Sequence, residues 1–342
     1  YTTPAGKKGG IHGPNSSYRG VTGDYISISN LRMDVSASAT SDAAPINLQY
    51  AGAQWRVVNT ELGPWPSTIV AKAGGISGDG INDYAFYGNY IHNIESNTSE
   101  GLMNHGIYIS NGANGNIAYN HIAHITGGNG FQAADTTNGF PTDNTKIHHN
   151  VIYDVAKHGV NLGVGVRADN DVYNNLIYNI RQACVRFASP YITNMKIYNN
   201  TCYNVNQDIG SRATPNERHW PGVGAIQNDE YGLTGTRFDI RNNIVYPLTD
   251  TNYLGGAGFS GIATFSNNLF YGGYVGDTTV SVDLAKITTN PLFISNGTNF
   301  HLQTGSPAID TGVSTVSTLI TNDLEMVSRP QGGGYDIGAY ER

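Results

Sequence analysis

Apolar residues alternate with polar ones in short bursts along the whole chain, and the bursts repeat. One family of segments reads "PINLQYA", "HGIYIS", "NGFQAAD", "HGVNLGV", "CVRFASP" and "GAIQNDE". A second reads "SNLRM", "NTEL", "GNYIHNI", "YNHIAHI", "HNVIYDV", "NNLIYNI", "NNTCYNV", "NNIVYPL" and "NNLFY". Period-two alternation broken by Gly, Asn or Asp every few residues predicts short strands and no helix. Aligning the second family on one asparagine gives Asn30, Asn59, Asn89, Asn120, Asn150, Asn175, Asn200, Asn243 and Asn268, at successive spacings of 29, 30, 31, 30, 25, 25, 43 and 25. A unit this small cannot bury its own apolar face, so the units must stack. Stacked coils of short parallel strands form a solenoid, with equivalent residues one strand spacing apart, about 4.8 Å. Buried amides fit such a column, because each carries two donors and two acceptors to share with the coils on either side.

Composition sharpens this picture. Only 13% of residues are charged, 43 are Gly and 22 are Tyr, so the chain is all-β and rich in turns. The net charge of −7 comes with no basic stripe, which argues against nucleic acid and anionic membranes as partners. There is no apolar run long enough to span a membrane. The first residue is Tyr1 rather than Met, as after removal of a signal peptide, so a secreted or periplasmic location is expected. Cys184 and Cys202 form no metal-ligand pattern and are expected to be small buried residues rather than a bridge.

The "YNN-apolar-apolar-Y" units over roughly residues 20–290 resemble the right-handed parallel β-helix proteins of secreted bacterial carbohydrate-active enzymes, the polysaccharide lyase and pectate lyase type. The tail "LQTGSPAIDTG…NDL…RPQGGGYDIGAYE" is similar to the closing segment of many such proteins. The resemblance implies one right-handed, single-stranded parallel β-helix domain over residues 1–342, of about nine or more coils. Its expected parts are an N-terminal cap segment at 1–25, coils at 26–290 with an insertion loop at 206–222, and a C-terminal cap at 291–342 over the open end.

Alternation in the first family points Ile107, Ile109, Phe131, Ala133, Val160, Leu162, Val185 and Phe187 inward. The expected outward column is Asn47, Lys72, Tyr108, Gln132, Asn161, Arg186 and Ile226. His105, Asn129 and His158 immediately precede these strands, Asp135 follows one, and Asn228, Asp229 and Glu230 end another. The 43-residue interval contains the insertion, with Arg212, Glu217, Arg218, His219 and Trp220. A Trp between cations suits a sugar bearing a carboxylate, and it equally suits a loop pinned to the solenoid.

A lyase of the resembled type must neutralise a uronate C6 carboxylate, remove the C5 proton and protonate the leaving O4. Arg186 suits the first task through its planar fork, with Asn161 and Gln132 as neutral donors. His158 is the expected base and Tyr108 the expected acid, an order that chemistry allows to be reversed. His105, Lys72, Asp135, Arg212, Arg218, His219 and Trp220 are expected to contact substrate. Many members of the resembled type use Ca²⁺ as the neutraliser, and the weak ligand candidates for it here are Asp229 and Glu230. The second enzymatic reading is a glycoside hydrolase or transglycosylase, whose only obvious carboxylate pair is Asp135 with Asp229 or Glu230, roughly 15–20 Å apart in a straight stack. The third is a non-catalytic glycan-binding module. An ice-binding surface is disfavoured because no Thr-x-Thr ladder runs along any face.

Overall fold

The computed structural model describes residues 11–12, 25–34, 45–65, 74–95, 104–134, 142–207, 224–248, 251–274 and 277–342. Those residues form an all-β parallel solenoid. Three parallel sheets of nine strands each run the length of the molecule, and each turn of chain contributes one strand to each sheet in order. In one turn, Val160–Leu162 belongs to the first sheet, Asp171–Tyr173 to the second and Leu176–Ile180 to the third. Among the described residues the helical content is two short 3₁₀ segments, Thr279–Val282 and Ser314–Val316.

The apolar positions converge on one continuous core. Ile107, Phe131, Val160 and Val185 from the first sheet meet Ile117, Ile147, Val172 and Ile197 from the second and Ile122, Ile152 and Ile177 from the third, all 0–1% exposed. Neighbouring coils align residue on residue, so aliphatic side chains stack along the axis.

The corner between the second and third sheets explains the asparagines. The Oδ1 of Asn120 accepts both the backbone N–H and the amide N–H of Asn89, and the same pair of bonds recurs through Asn150, Asn175, Asn200, Asn243 and Asn268 at 2.9–3.1 Å. Each amide spends its second N–H on a second-sheet carbonyl, as Asn175 does on Ile147 at 2.9 Å. Asp283 ends the column by accepting both donors of Asn268.

Asn30 and Asn59 do not belong to this column. They are one residue early, at the left-handed position filled further on by Gly88, Tyr119, His149, Asn174, Asn199, Asn242 and Asn267, all with φ between 50° and 63°. Their own ladder-equivalent residues are Leu31 and Thr60, and the Thr60 N–H donates to Asn89. Asparagine tolerates both environments, which is why a pattern of asparagines alone does not separate them.

The cysteine expectation is overturned. Cys184 and Cys202 are bridged, with Cα atoms 5.9 Å apart. In four preceding coils a glycine opens the first-sheet strand and the methyl of a third-sheet isoleucine sits against it: Gly75 with Ile91, Gly106 with Ile122, Gly130 with Ile152, and Gly159 with Ile177. Any Cβ on those glycines would collide with that methyl. The next coil places Cys184 at the glycine position and Cys202 at the isoleucine position. A covalent bridge replaces a packing contact at the same point of the coil.

Residues 291–342, expected over the open end, lie along the flank. Phe293, Phe300, Leu302, Ala308, Leu324, Ile337 and Ala339 pack on the outer faces of Leu176, Tyr203, Ile244, Tyr246 and Leu269. Val316, Ile320 and Tyr335 pack on Tyr173 and Tyr198. The left-handed corner asparagines hold this strap: Asn174 donates to Asn322 O, Asn199 to Asp336 O and Asn267 to Thr311 O. At the end of the core itself stands Val280.

Candidate site on the first sheet

Register across the first sheet pairs Tyr108 with Gln132, Gln132 with Asn161, and Asn161 with Arg186, so these four expected residues stand in one outward line. Two neighbours in the line differ from expectation. Ser77 precedes Tyr108 where Lys72 was expected, because Tyr108 pairs with Ser77. Gln227 follows Arg186 in place of Ile226, which pairs with Val185 and is buried in the core. Both slips come from counting across connections of unequal length, which shift the face of every later residue. Lys72, Asp135, Arg212, Glu217, Arg218, His219 and Trp220 lie outside the described residues.

From Gln132 onward the line is hydrogen-bonded. Gln132 Oε1 accepts from Asn129 and from Asn161, each at 2.6 Å. Arg186 donates through NH1 to Asn161 Oδ1 at 3.2 Å, through Nε to Asp229 Oδ2 at 2.6 Å, and its NH2 lies 2.5 Å from that same oxygen. Gln227 donates to the other Asp229 oxygen. Asp229 and Gln227, which sequence reasoning placed elsewhere or missed, thus fix the guanidinium. Arg186 has five N–H groups and uses three of them here.

The histidines are organised differently. His105, Asn129 and His158 occupy the equivalent corner position of consecutive coils, immediately before the strand. His105 Nδ1 accepts the Asn129 N–H at 3.0 Å, Asn129 Oδ1 accepts the His158 N–H at 2.9 Å, and His158 Nδ1 accepts the Ala183 N–H at 3.2 Å. A ring nitrogen that accepts a backbone N–H carries no proton, so neutral His158 carries its proton on Nε2. That tautomer presents Nε2–H as a hydrogen-bond donor, while its basic nitrogen, Nδ1, is engaged by the Ala183 N–H. Burial, helped by Lys157, pushes the His105 imidazole down to about 3, so it stays neutral. It stacks on Tyr108 at 5.6 Å.

Burial also raises the Tyr108 phenol, against a hydrogen bond to Ser110 that lowers it; nearby Asp79 adds to the rise. Tyr108 therefore stays protonated at neutral pH, which suits an acid and not a base. Asp79, another residue missed from sequence, accepts from Asn111 at 2.6 Å.

Asp229 and Glu230 are not arranged as a calcium site among the described residues. Among the described residues no group of three or more His, Cys, Asp or Glu side chains is placed to hold a metal ion. Both Asp229 oxygens are engaged by Arg186 and Gln227, and the Glu230 backbone, not its carboxylate, is what bonds to Asn228. No helix among the described residues is long and apolar enough to cross a membrane.

No protein-family model matches this chain, and no curated protein sequence matches it. Among solved structures, the crystal structure of pectate lyase Pel9A is similar, over 100% of this chain and 86% of its own, with a TM-score of 0.52 and 13% identity. That likeness is one of fold.

Proposed function

We propose that the protein is a secreted carbohydrate-active enzyme, a right-handed β-helix that binds a uronate-containing polysaccharide along its first sheet and cleaves it by β-elimination. The observation that carries this reading is the in-register line Tyr108, Gln132, Asn161 and Arg186. It spans roughly 14 Å, the length of two to three sugar units. Arg186, steadied by Asp229, offers its remaining N–H groups to the C6 carboxylate, and Asn161 and Gln132 assist as neutral donors. Tyr108, kept protonated, delivers a proton to the departing O4. His158 acts as a second donor that contacts the substrate. Lys72 and His219, two further residues expected to contact substrate, are the remaining candidates for the base that takes the C5 proton. The Cys184–Cys202 bridge supports an extracellular or periplasmic location.

A screen of pectate, alginate, glucuronan and glycosaminoglycans tests the reading through the ultraviolet absorbance of the unsaturated product. One polymer is expected to give it, and Arg186→Lys, which keeps the charge but loses the fork, is expected to lower kcat/KM roughly 100-fold. No absorbance on any polymer, or an unimpaired Arg186→Lys enzyme, overturns it.

A non-catalytic glycan-binding module is the second reading. It is favoured by the Arg186–Asp229 pairing and by the occupied Nδ1 of both histidines. Binding without any product would select it. New reducing ends without absorbance would select a hydrolase.

A further inference from the structure

On the corner where the third sheet turns toward the first lies a groove of about 410 Å³, apart from the line of first-sheet residues. Its volume falls in the range of small-ligand sites. Ile125 and Val155, both core residues, contribute to its lining, and Thr126, Asp154, Asn179, Arg181, Asn204 and Gln207 supply its polar wall.

Part of the polar wall is a second side-chain ladder with unspent hydrogen-bonding capacity. Asp154, Asn179 and Asn204 take left-handed backbone, φ 53°, 54° and 50°, at one position in three successive coils. Asn204 Nδ2 donates to Asn179 Oδ1 at 2.8 Å, Asn179 Nδ2 donates to Asp154 Oδ1 at 3.0 Å, and His124 Nδ1 lies 3.2 Å from Asp154 Oδ2. In the buried ladder, Asn175 spends both amide N–H groups, and its Oδ1 accepts twice. In the groove, Asn179 spends one N–H and accepts once, which leaves one donor and one lone pair on its planar amide. The scaffold's requirement is met with half of the available bonds.

The exposed ladder at the corner between the first and second sheets, Asn144 to Asn114 to Asp83, shows the same bonding. Tyr153 and Tyr178, which precede Asp154 and Asn179 in sequence, stack on each other at 4.9 Å and are occupied by His124 and Phe300, outside the lining of the groove. Planar amides and a carboxylate that address vicinal hydroxyls, over a floor of Ile125, Val155 and Ala156, make up the chemistry of a saccharide site.

We infer that this groove is a second saccharide-binding site, which holds a hydroxyl-rich stretch of polysaccharide through Asp154, Asn179 and Asn204. The inference rests on the protein handling polysaccharide, and it does not require lyase chemistry.

The test is calorimetric titration of the full chain with two probes, tetragalacturonate and cellotetraose. It is carried out on wild type, on Arg186→Gln to disable the first-sheet line, and on Asn179→Gly/Asn204→Gly, which removes the amides but keeps left-handed backbone accessible. At least one probe is expected to bind the Arg186→Gln protein, and the glycine pair is expected to weaken that groove binding at least 10-fold. Asp154→Asn, which keeps the size of the side chain, reports independently should the glycine pair fail to fold, and it is expected to weaken binding as well. No binding to Arg186→Gln by either probe, or binding unchanged in the groove variants, overturns the inference. Groove binding by a wild-type protein that yields no unsaturated product would overturn the lyase reading and leave the groove standing.

Discussion

His105, His148 and His149 are held neutral by their surroundings, and that gives the protein's stability a definite dependence on pH. Burial pushes His105 and His148 down to about 3 and His149 to about 4. His148 is lowered further by His149 and Lys146, while Asp323 partly offsets the shift at His149. Unfolded, each titrates near 6.5, so below that value the unfolded chain takes up protons that the native chain refuses. Their contribution is complete above pH 6.5 and is lost as pH falls toward the folded values. Each proton adds a slope of about 1.4 kcal/mol per pH unit within that window. Asp336, raised to about 6 chiefly by burial, works in the opposite direction between its ordinary value and 6, and offsets one of them. The urea midpoint is expected to fall steadily from pH 6.5 to pH 4.5. His105→Asn, which copies the Asn129 of the next coil, should flatten that fall, and an unchanged slope would exclude His105 as a source.

At the same scale, His158 shows what the sequence leaves hidden. Its place at the strand entry is legible from alternation, and so is its proximity to Asn161. Which ring nitrogen is committed to the Ala183 N–H depends on a neighbour one coil away, and no local pattern encodes it. The pairing of Arg186 with Asp229 was hidden for a similar reason. Asp229 follows a strand whose register is set by Gly224 and Ala225, after a long connection.

The coil is the unit that evolution copied, and the disulfide is legible once coils are compared with one another. Read down the column, "HGI", "NGF", "HGV" and "ACV" put Cys184 under three glycines, and "HIA", "VIY", "LIY" and "TCY" put Cys202 under three isoleucines. A cysteine count alone treats the pair as unrelated, since it ignores this shared contact. Cys184→Gly/Cys202→Ile is expected to restore the glycine–isoleucine contact of the preceding coils. It should lose only the cross-link contribution, about 3 kcal/mol for a loop of this size. Cys184→Ser/Cys202→Ser should lose more, because it buries two hydroxyls in an apolar core. Equal denaturation midpoints for the two variants would count against the substitution argument.

The buried asparagine column is the coil's polar counterpart. Asn175→Ala removes two donors and an acceptor used twice, and strands the partners on Asn150, Ile147 and Asn200. The expected cost is about 3–5 kcal/mol by chemical denaturation. The adjacent Asn174→Gly keeps the left-handed backbone and loses chiefly a bond to the strap, so it should cost about 1 kcal/mol.

At the scale of the whole molecule, the strap of residues 291–342 turns a one-dimensional stack into something with long-range contacts. Its own organisation centres on Arg329, whose side chain is 0% exposed, as is that of Glu341. The guanidinium donates to Glu341 Oε2 at 3.1 Å and to the carbonyls of Asp336 and Gly338 at 2.8 Å. Glu341 in turn accepts the N–H groups of Gln331 and Asp336, and Asp323 accepts that of Glu341. Removing the cation leaves a buried carboxylate uncompensated, so Arg329→Met should cost about 3–5 kcal/mol. Where that cost appears distinguishes two pictures. A strap that folds as part of the solenoid would pass the loss to every coil and lower the global midpoint. The strap, however, is joined to the solenoid by isolated bonds from corner asparagines, Thr201 and Arg241 and by two apolar patches, while neighbouring coils are bonded through three sheets and, from Asn89 onward, the amide column. The strap is therefore expected to open as its own unit. In Arg329→Met, hydrogen exchange should quicken across residues 308–341 and stay slow in Val151–Val155 and Leu176–Ile180, whose amides pair with neighbouring coils. Uniform acceleration across both would show that the strap and the coils unfold together.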